Sequence, residues 1–240
     1  MIIIAGDSWG CGELDSRNLT HGGLSEYILT HGHDCINLSY GGGTNYNTLG
    51  QLWNFVRNNP SLAKQIEKIF VFQTEWDRDY RTPDLPDHLL NNLQHGYPTC
   101  AEYTISGFYH GLSRLGIPVK LIGGCSDVMW SDDFEFEYPG VAVVCQSLTN
   151  LLIAENHRVD NPVYSFWAKK SENLLQEIKK QTKEQSGLNL LLNDITLGNK
   201  RLETFRQNKN WFWPDGVHAN RHGHKKLFEF LISTGEINER

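Results

Sequence analysis

Four small or β-branched apolar residues, Ile2 to Ala5, run without a polar interruption straight into Gly6-Asp7-Ser8-Trp9-Gly10-Cys11-Gly12. This junction constrains the fold more than any other stretch of the chain. An unbroken apolar run of that length suits a strand buried on both faces, and such strands belong to parallel sheets covered by helices. The pattern recurs. Cys35 to Leu38 reads as a second strand ending in Tyr40-Gly-Gly-Gly43, Lys68 to Phe72 as a third, and Val119 to Ile122 as a fourth closed by Gly123-Gly124. Helices are expected at about 24–30, from Thr44 as N-cap to Val56, and over 99–115, stopped by Gly116 and Pro118. Further helical patterns cover about 165–185, 196–207 and 222–233. The stretch 141–153 fits strand or helix equally, 126–140 reads as irregular and acidic, and Gly6 to Gly12 reads as loop.

Strands alternating with helices imply β-α-β crossovers and a parallel sheet, whose sites lie outside the carboxyl ends of the strands. Three of the four expected strands end in loops rich in Gly, Ser, Asp or Thr. With 240 residues, no linker and no internal repeat, the whole of 1–240 is expected to be one domain.

Charge narrows the partners. The net charge is −6 and no dense Lys/Arg cluster occurs, which excludes a nucleic-acid backbone as the main ligand. The Lys-rich run 168–183 alternates with Glu and reads as a solvated helix face. No segment is long and apolar enough to span a bilayer, so no membrane partner is expected. The N-terminal run lacks a basic flank, and the five cysteines are scattered without a C-x-x-C pair. Those features predict a cytoplasmic chain with reduced thiols, with export lacking an N-terminal signal as the alternative.

Two short blocks can carry chemistry. Ser8 closes Gly6-Asp7-Ser8 at the end of the first strand, where its hydroxyl meets solvent at the sheet mouth and its own N–H can face a developing oxyanion. At the other end, Asp215-Gly-Val-His218 precedes the last helix. Two intervening residues let Asp and His share one turn, so the carboxylate holds one imidazole nitrogen and leaves the other to accept a serine proton. Either block alone is common in turns. The pairing of the two, each at a loop–helix junction, is not.

Together these blocks resemble the SGNH, or GDSL-type, hydrolases. Asn37-Leu-Ser-Tyr-Gly-Gly-Gly-Thr44 is similar to that family's second block, and His218-Ala-Asn-Arg-His-Gly-His224 to its closing H-x-N-x-x-G-H run. The resemblance implies a three-layer α/β/α sandwich with a central parallel sheet, flavodoxin-like in plan. It also implies a carboxylic ester hydrolase that works through an acyl-enzyme with no cofactor. By matching position Ser8 is the nucleophile, His218 the general base and Asp215 its orienter. Gly42 matches the oxyanion-binding glycine of block two, with Gly41 and Gly43 adjacent in alignment.

The third block departs from the family. Where Gly-x-Asn is expected, this chain has Gln73-Thr74-Glu75-Trp76-Asp77. Gln73 or Thr74 is the expected substitute donor, unless backbone N–H groups suffice or the protein is slow or inactive. Losing one such donor typically costs about 10²–10³ in rate. Trp9, Glu75, Trp76 and Trp213 are expected to meet substrate, Glu75 having Arg78 and Arg81 as alternative partners. The preferred substrate is a short acyl ester on a carbohydrate or other small molecule. A non-catalytic carbohydrate-binding or structural module of the same fold is the alternative.

Other constellations read as structural. His218, His222 and His224 have metal-ligand spacing but no carboxylate cluster or Cys beside them, so they are expected on solvated helix surface with no metal. Asp132, Asp133, Glu135 and Glu137 lack EF-hand spacing, and Gly10-x-Gly12 lacks the third glycine of a dinucleotide loop.

Overall fold

The structure is a computed structural model, and it describes residues 1–15, 18–74, 105–124, 128, 133–153, 211 and 218–238. Five strands form the main sheet: β1 (Ile2–Gly6), β4 (Cys35–Asn37), β5 (Lys68–Gln73), β6 (Val119–Gly123) and β7 (Val141–Cys145). Their order is β4-β1-β5-β6-β7, and every pairing is parallel. The chain steps from β1 outward to β4, then returns to the other side of β1 with β5. That reversal places a topological switch point between the carboxyl ends of β1 and β5, where a ligand crevice is expected in open α/β sheets.

The sheet is apolar on both faces because its strands alternate between two cores. Ile2 and Ile4 of β1 and Phe70 and Phe72 of β5 point to one side. They pack there with Leu24 and Ile28 of α2 (Leu24–Thr30), Leu148 and Leu152 of α7 (Leu148–Ile153), and Leu227, Phe228 and Leu231 of α8 (Arg221–Ser233). Ile3, Ala5, Ile69 and Val71 point to the other side. Their partners are Leu52 of α3 (Asn45–Asn58), Ile105, Phe108, Tyr109 and Leu112 of a helix described over 105–113 (α5), and Phe134 of α6 (Phe134–Glu137). Helices therefore cover both faces, which is the expected three-layer α/β/α arrangement. α3 begins as its sequence predicts: the Thr44 side chain accepts from Asn47 N–H at 3.1 Å and the Asn47 side chain accepts from Thr44 N–H. The short α4 (Pro60–Ala63) follows it.

Three expectations change. Gly6 to Gly12 is not all loop, because Ser8–Cys11 forms a short helix, α1, capped by Asp7. A two-stranded antiparallel hairpin follows, β2 (Glu13–Asp15) with β3 (Asn18–His21). The ambiguous stretch 141–153 holds a strand and then a helix, β7 and α7, and 126–140 contains α6. The helical patterns at 165–185 and 196–207, and positions 99–104 of the helix expected over 99–115, lie outside the described residues. No helix among the described residues is long and apolar enough to cross a membrane.

Candidate active site

Each residue of Gly6-Asp7-Ser8 has a separate physical job at the end of β1. Gly6 has φ +148°, and a Cβ there would sit 2.7 Å from Cβ of Phe72, so only glycine lets β1 end against β5 in this way. Asp7 is fully buried, and its carboxylate accepts the Trp9 N–H at 3.0 Å, capping α1. That cap turns the chain so that Ser8, the first residue of α1, is partly exposed.

His218 arrives from the opposite end of the sequence. Asn220 caps α8, its side chain accepting the N–H groups of His222 at 2.9 Å and Gly223 at 3.0 Å. The chain immediately before that cap brings His218 Nε2 to 2.8 Å from Ser8 Oγ. This is full hydrogen-bond distance between a hydroxyl and an imidazole 210 residues apart. Asp215, the expected orienter, lies outside the described residues, as do Glu75, Trp76 and Trp213.

The block-two loop is tied to the end of β1 and to α1. The Tyr40 N–H donates to Gly6 O at 3.2 Å, so the loop continues beside β1 past the end of β4. The Asn37 side chain donates to Gly10 O at 2.8 Å and accepts from Ser39 N–H at 2.9 Å, bridging α1 to the same loop. Gly42 follows, exposed and at φ +77°, the left-handed region that a side chain would strain. Neither its N–H nor that of Ser8 donates a hydrogen bond to a described residue.

On the β5 side the Thr74 backbone groups and the Gln73 side-chain carbonyl are already engaged. The Thr74 N–H donates to Asn45 Oδ1 at 3.0 Å, and the Thr74 carbonyl accepts from Asn45 Nδ2 at 3.0 Å. Gln73 is buried toward α5, its side-chain carbonyl accepting the Tyr109 hydroxyl at 2.6 Å. Thr74 therefore cannot lend its backbone N–H to an oxyanion in this arrangement. The bond from Tyr109 occupies the acceptor end of the Gln73 amide and leaves its NH2 donor out of that contact.

Two further residues fall elsewhere than expected. Trp9 is 2% exposed in the core, under Gly124 and tilted beside His218 with ring centroids 6.1 Å apart. It backs the imidazole and presents no open face to substrate, because the helix cap at Asp7 turns it inward. His224 is not on solvated helix surface. It is 1% exposed, between Gly23 and Phe72, and its Nδ1 has no hydrogen-bond partner among the described residues. Burial first, and then the nearby His21, pull its pKa down to about 4, so it is neutral near pH 7. Burial, reinforced by the Asp7 charge, pushes the Cys11 thiol up to about 12, which leaves it un-ionised beside the serine. Among the described residues no group of three or more His, Cys, Asp or Glu is placed to hold a metal ion.

Residues that sequence reading passed over complete the site's frame. Glu13, at the start of β2, is buried and makes a forked ion pair with Arg221, the first residue of α8. The Arg221 guanidinium holds the Glu13 carboxyl down at about 2, well below the usual carboxylate range. Asn45 had a local signal, being a polar residue in the first turn of a capped helix next to a glycine block. The Glu13–Arg221 pair had none, since 208 residues separate its members.

No family model and no curated protein matches the chain. Among solved structures the chain is similar to TesA, at 12% identity over 97% of this chain and 96% of that one, with a TM-score of 0.43. It is similar to AlinE4, described as an SGNH-hydrolase family esterase, at 19% identity over 75% of this chain and 93% of that one, with a TM-score of 0.36. A catalytic mutant of Axe2, an acetylxylan esterase from Geobacillus stearothermophilus, shares 12% identity over 97% of this chain and 92% of that one, with a TM-score of 0.36.

Proposed function

We propose that the chain is a serine esterase of the SGNH type, with Ser8 as nucleophile and His218 as general base. The observation that carries this reading is the 2.8 Å contact between His218 Nε2 and Ser8 Oγ at the switch point of the sheet. In the proposed reaction Ser8 Oγ attacks the ester carbonyl while His218 takes its proton. His218 then protonates the leaving alcohol, and a water activated by the same imidazole resolves the acyl-enzyme. Asp215 is assigned the orienting role on the other imidazole nitrogen.

The oxyanion would be held by the N–H groups of Ser8 and Gly42, because the Thr74 N–H is spent on Asn45. A hole of two backbone donors lacks the side-chain donor of the family pattern and is worth less stabilisation by about 10²–10³ in rate. A slow esterase for small, activated or short acyl esters is therefore the form of the proposal, with acylated carbohydrates as the preferred class. Its rival is a non-catalytic carbohydrate-binding or structural module of the same fold, favoured by the missing block-three asparagine and by the engagement of the Thr74 N–H.

p-Nitrophenyl acetate turnover by the wild type and Ser8→Ala separates the two. The esterase reading expects turnover that vanishes with the hydroxyl. Equal rates for both proteins would leave only the module.

A further inference from the structure

Serine and imidazole lie on segments that meet only through tertiary contacts, and a hydrogen bond between them tolerates little drift. A displacement of about 1 Å in such a pair can cost about 10² in rate. One contact is built to prevent that drift. Glu13 lies five positions after Ser8, and Arg221 three positions after His218. Glu13 Oε1 accepts from Arg221 Nη2 at 2.8 Å, while Oε2 accepts from Arg221 Nε at 3.1 Å and from the Arg221 backbone N–H at 2.7 Å. The carboxylate is held from its own side as well, since the Thr20 hydroxyl on β3 donates to Oε1 at 3.1 Å and to the Glu13 carbonyl at 3.1 Å. The Glu13 side chain is buried while that of Arg221 is half-exposed, and it is the forked geometry with the added backbone bond that sets this apart from a simple surface ion pair.

We infer that Glu13 and Arg221 are a positioning pair that fixes His218 against Ser8. This rests on the esterase reading of that site. The backbone contribution makes the two partners unequal. Removing the guanidinium leaves the bond from the Arg221 N–H, whereas changing Glu13 weakens every bond in the clamp. Lysine cannot reproduce the fork, so Arg221→Lys keeps the charge and loses the geometry.

The test measures kcat, KM and the His218 imidazole nitrogen resonances in wild type, Glu13→Gln, Arg221→Lys and Ser8→Ala. Ser8→Ala supplies the resonance of an imidazole that has lost the serine. Glu13→Gln is expected to lower kcat about tenfold or more with KM little changed, and to move the imidazole signal toward the Ser8→Ala value. Arg221→Lys is expected to fall between Glu13→Gln and wild type. Should Glu13→Gln fail to fold, Arg221→Lys decides alone, since its side chain is 46% exposed and tolerates replacement. A folded variant that melts earlier yet keeps wild-type kcat and an unmoved imidazole signal would overturn the inference. Absence of Ser8-dependent turnover in the wild type would instead sink the esterase reading, while the imidazole signals would still report on the clamp.

Discussion

The two halves of the site mouth are held by different kinds of bond. On the nucleophile side, residues from opposite ends of the chain meet through a hydroxyl–imidazole hydrogen bond and a forked ion pair. On the β5 side, Thr74 and Gln73 are pinned by neutral partners, the Asn45 amide and the Tyr109 hydroxyl. On the first, Ser8 Oγ and His218 Nε2 face one another. On the second, the Thr74 backbone groups and the Gln73 side-chain carbonyl are bound within the protein. Reactivity in the proposed esterase is thus concentrated on the β1–α8 side, while the β5 side serves as a rigid wall.

That contrast can be broken most sharply at Ser8 and His218. His218→Ala is expected to lower ester turnover by about 10³ or more, measured as initial rates with p-nitrophenyl acetate. Loss of a few-fold only would mean that the imidazole is not the base. On the wall side, Asn45→Ala strips two buried backbone groups of Thr74 of their partner at once. A loss of about 2 kcal/mol or more is expected in denaturant unfolding, because each unsatisfied buried group costs about 1–3 kcal/mol. An unchanged midpoint would show that water replaces the amide freely.

Gly42→Ala probes the edge between the two sides. The site is open to solvent, so steric conflict is not the issue, but φ +77° costs a side chain about 1–2 kcal/mol. The expected outcome is a small loss of stability and a larger relative loss of kcat as the N–H moves. A variant with both values unchanged would remove Gly42 from the oxyanion hole.

Acid sensitivity is expected in two separate windows. His224 is buried neutral with a pKa depressed from 6.5 to about 4, so the unfolded chain takes up the proton first. Stability is therefore lost as pH falls from about 6.5 to 4, and His224→Gln should flatten that slope. Glu13 is depressed from 4.5 to about 2, chiefly by its hydrogen bonds from Arg221. Its contribution is complete above the ordinary carboxylate value and disappears as pH falls from about 4.5 to 2. Thermal melts across pH 7 to 2 on wild type, His224→Gln and Glu13→Gln check both windows.

The sheet was legible because it is a local property. An unbroken apolar run closed by glycine marks β1 and, with a single lysine inside it, β6; short apolar-rich runs mark β4 and β5, all to within a residue or two. α1 escaped because its cap uses Asp7, the same residue that makes Gly-Asp-Ser look like a turn. Ser8 and His218 could be named from the sequence since each sits in a recognisable block. The state of Thr74 could not, because its N–H is consumed by Asn45, 29 positions away. Trp9 was misread for a similar reason: aromatic residues beside a nucleophile suit substrate contact, and only the cap geometry shows that this one turns inward. The Glu13–Arg221 clamp and the burial of His224 are likewise tertiary facts with no local pattern behind them.

In the proposed esterase, His218 activates Ser8 as a nucleophile. The most direct test of that activation is covalent labelling with a fluorophosphonate, followed by peptide mass mapping of wild type and His218→Ala. One adduct is expected, on the peptide containing Ser8, formed at least about 10²-fold more slowly without the imidazole. An unlabelled Ser8, or labelling at the same rate in both proteins, would contradict it.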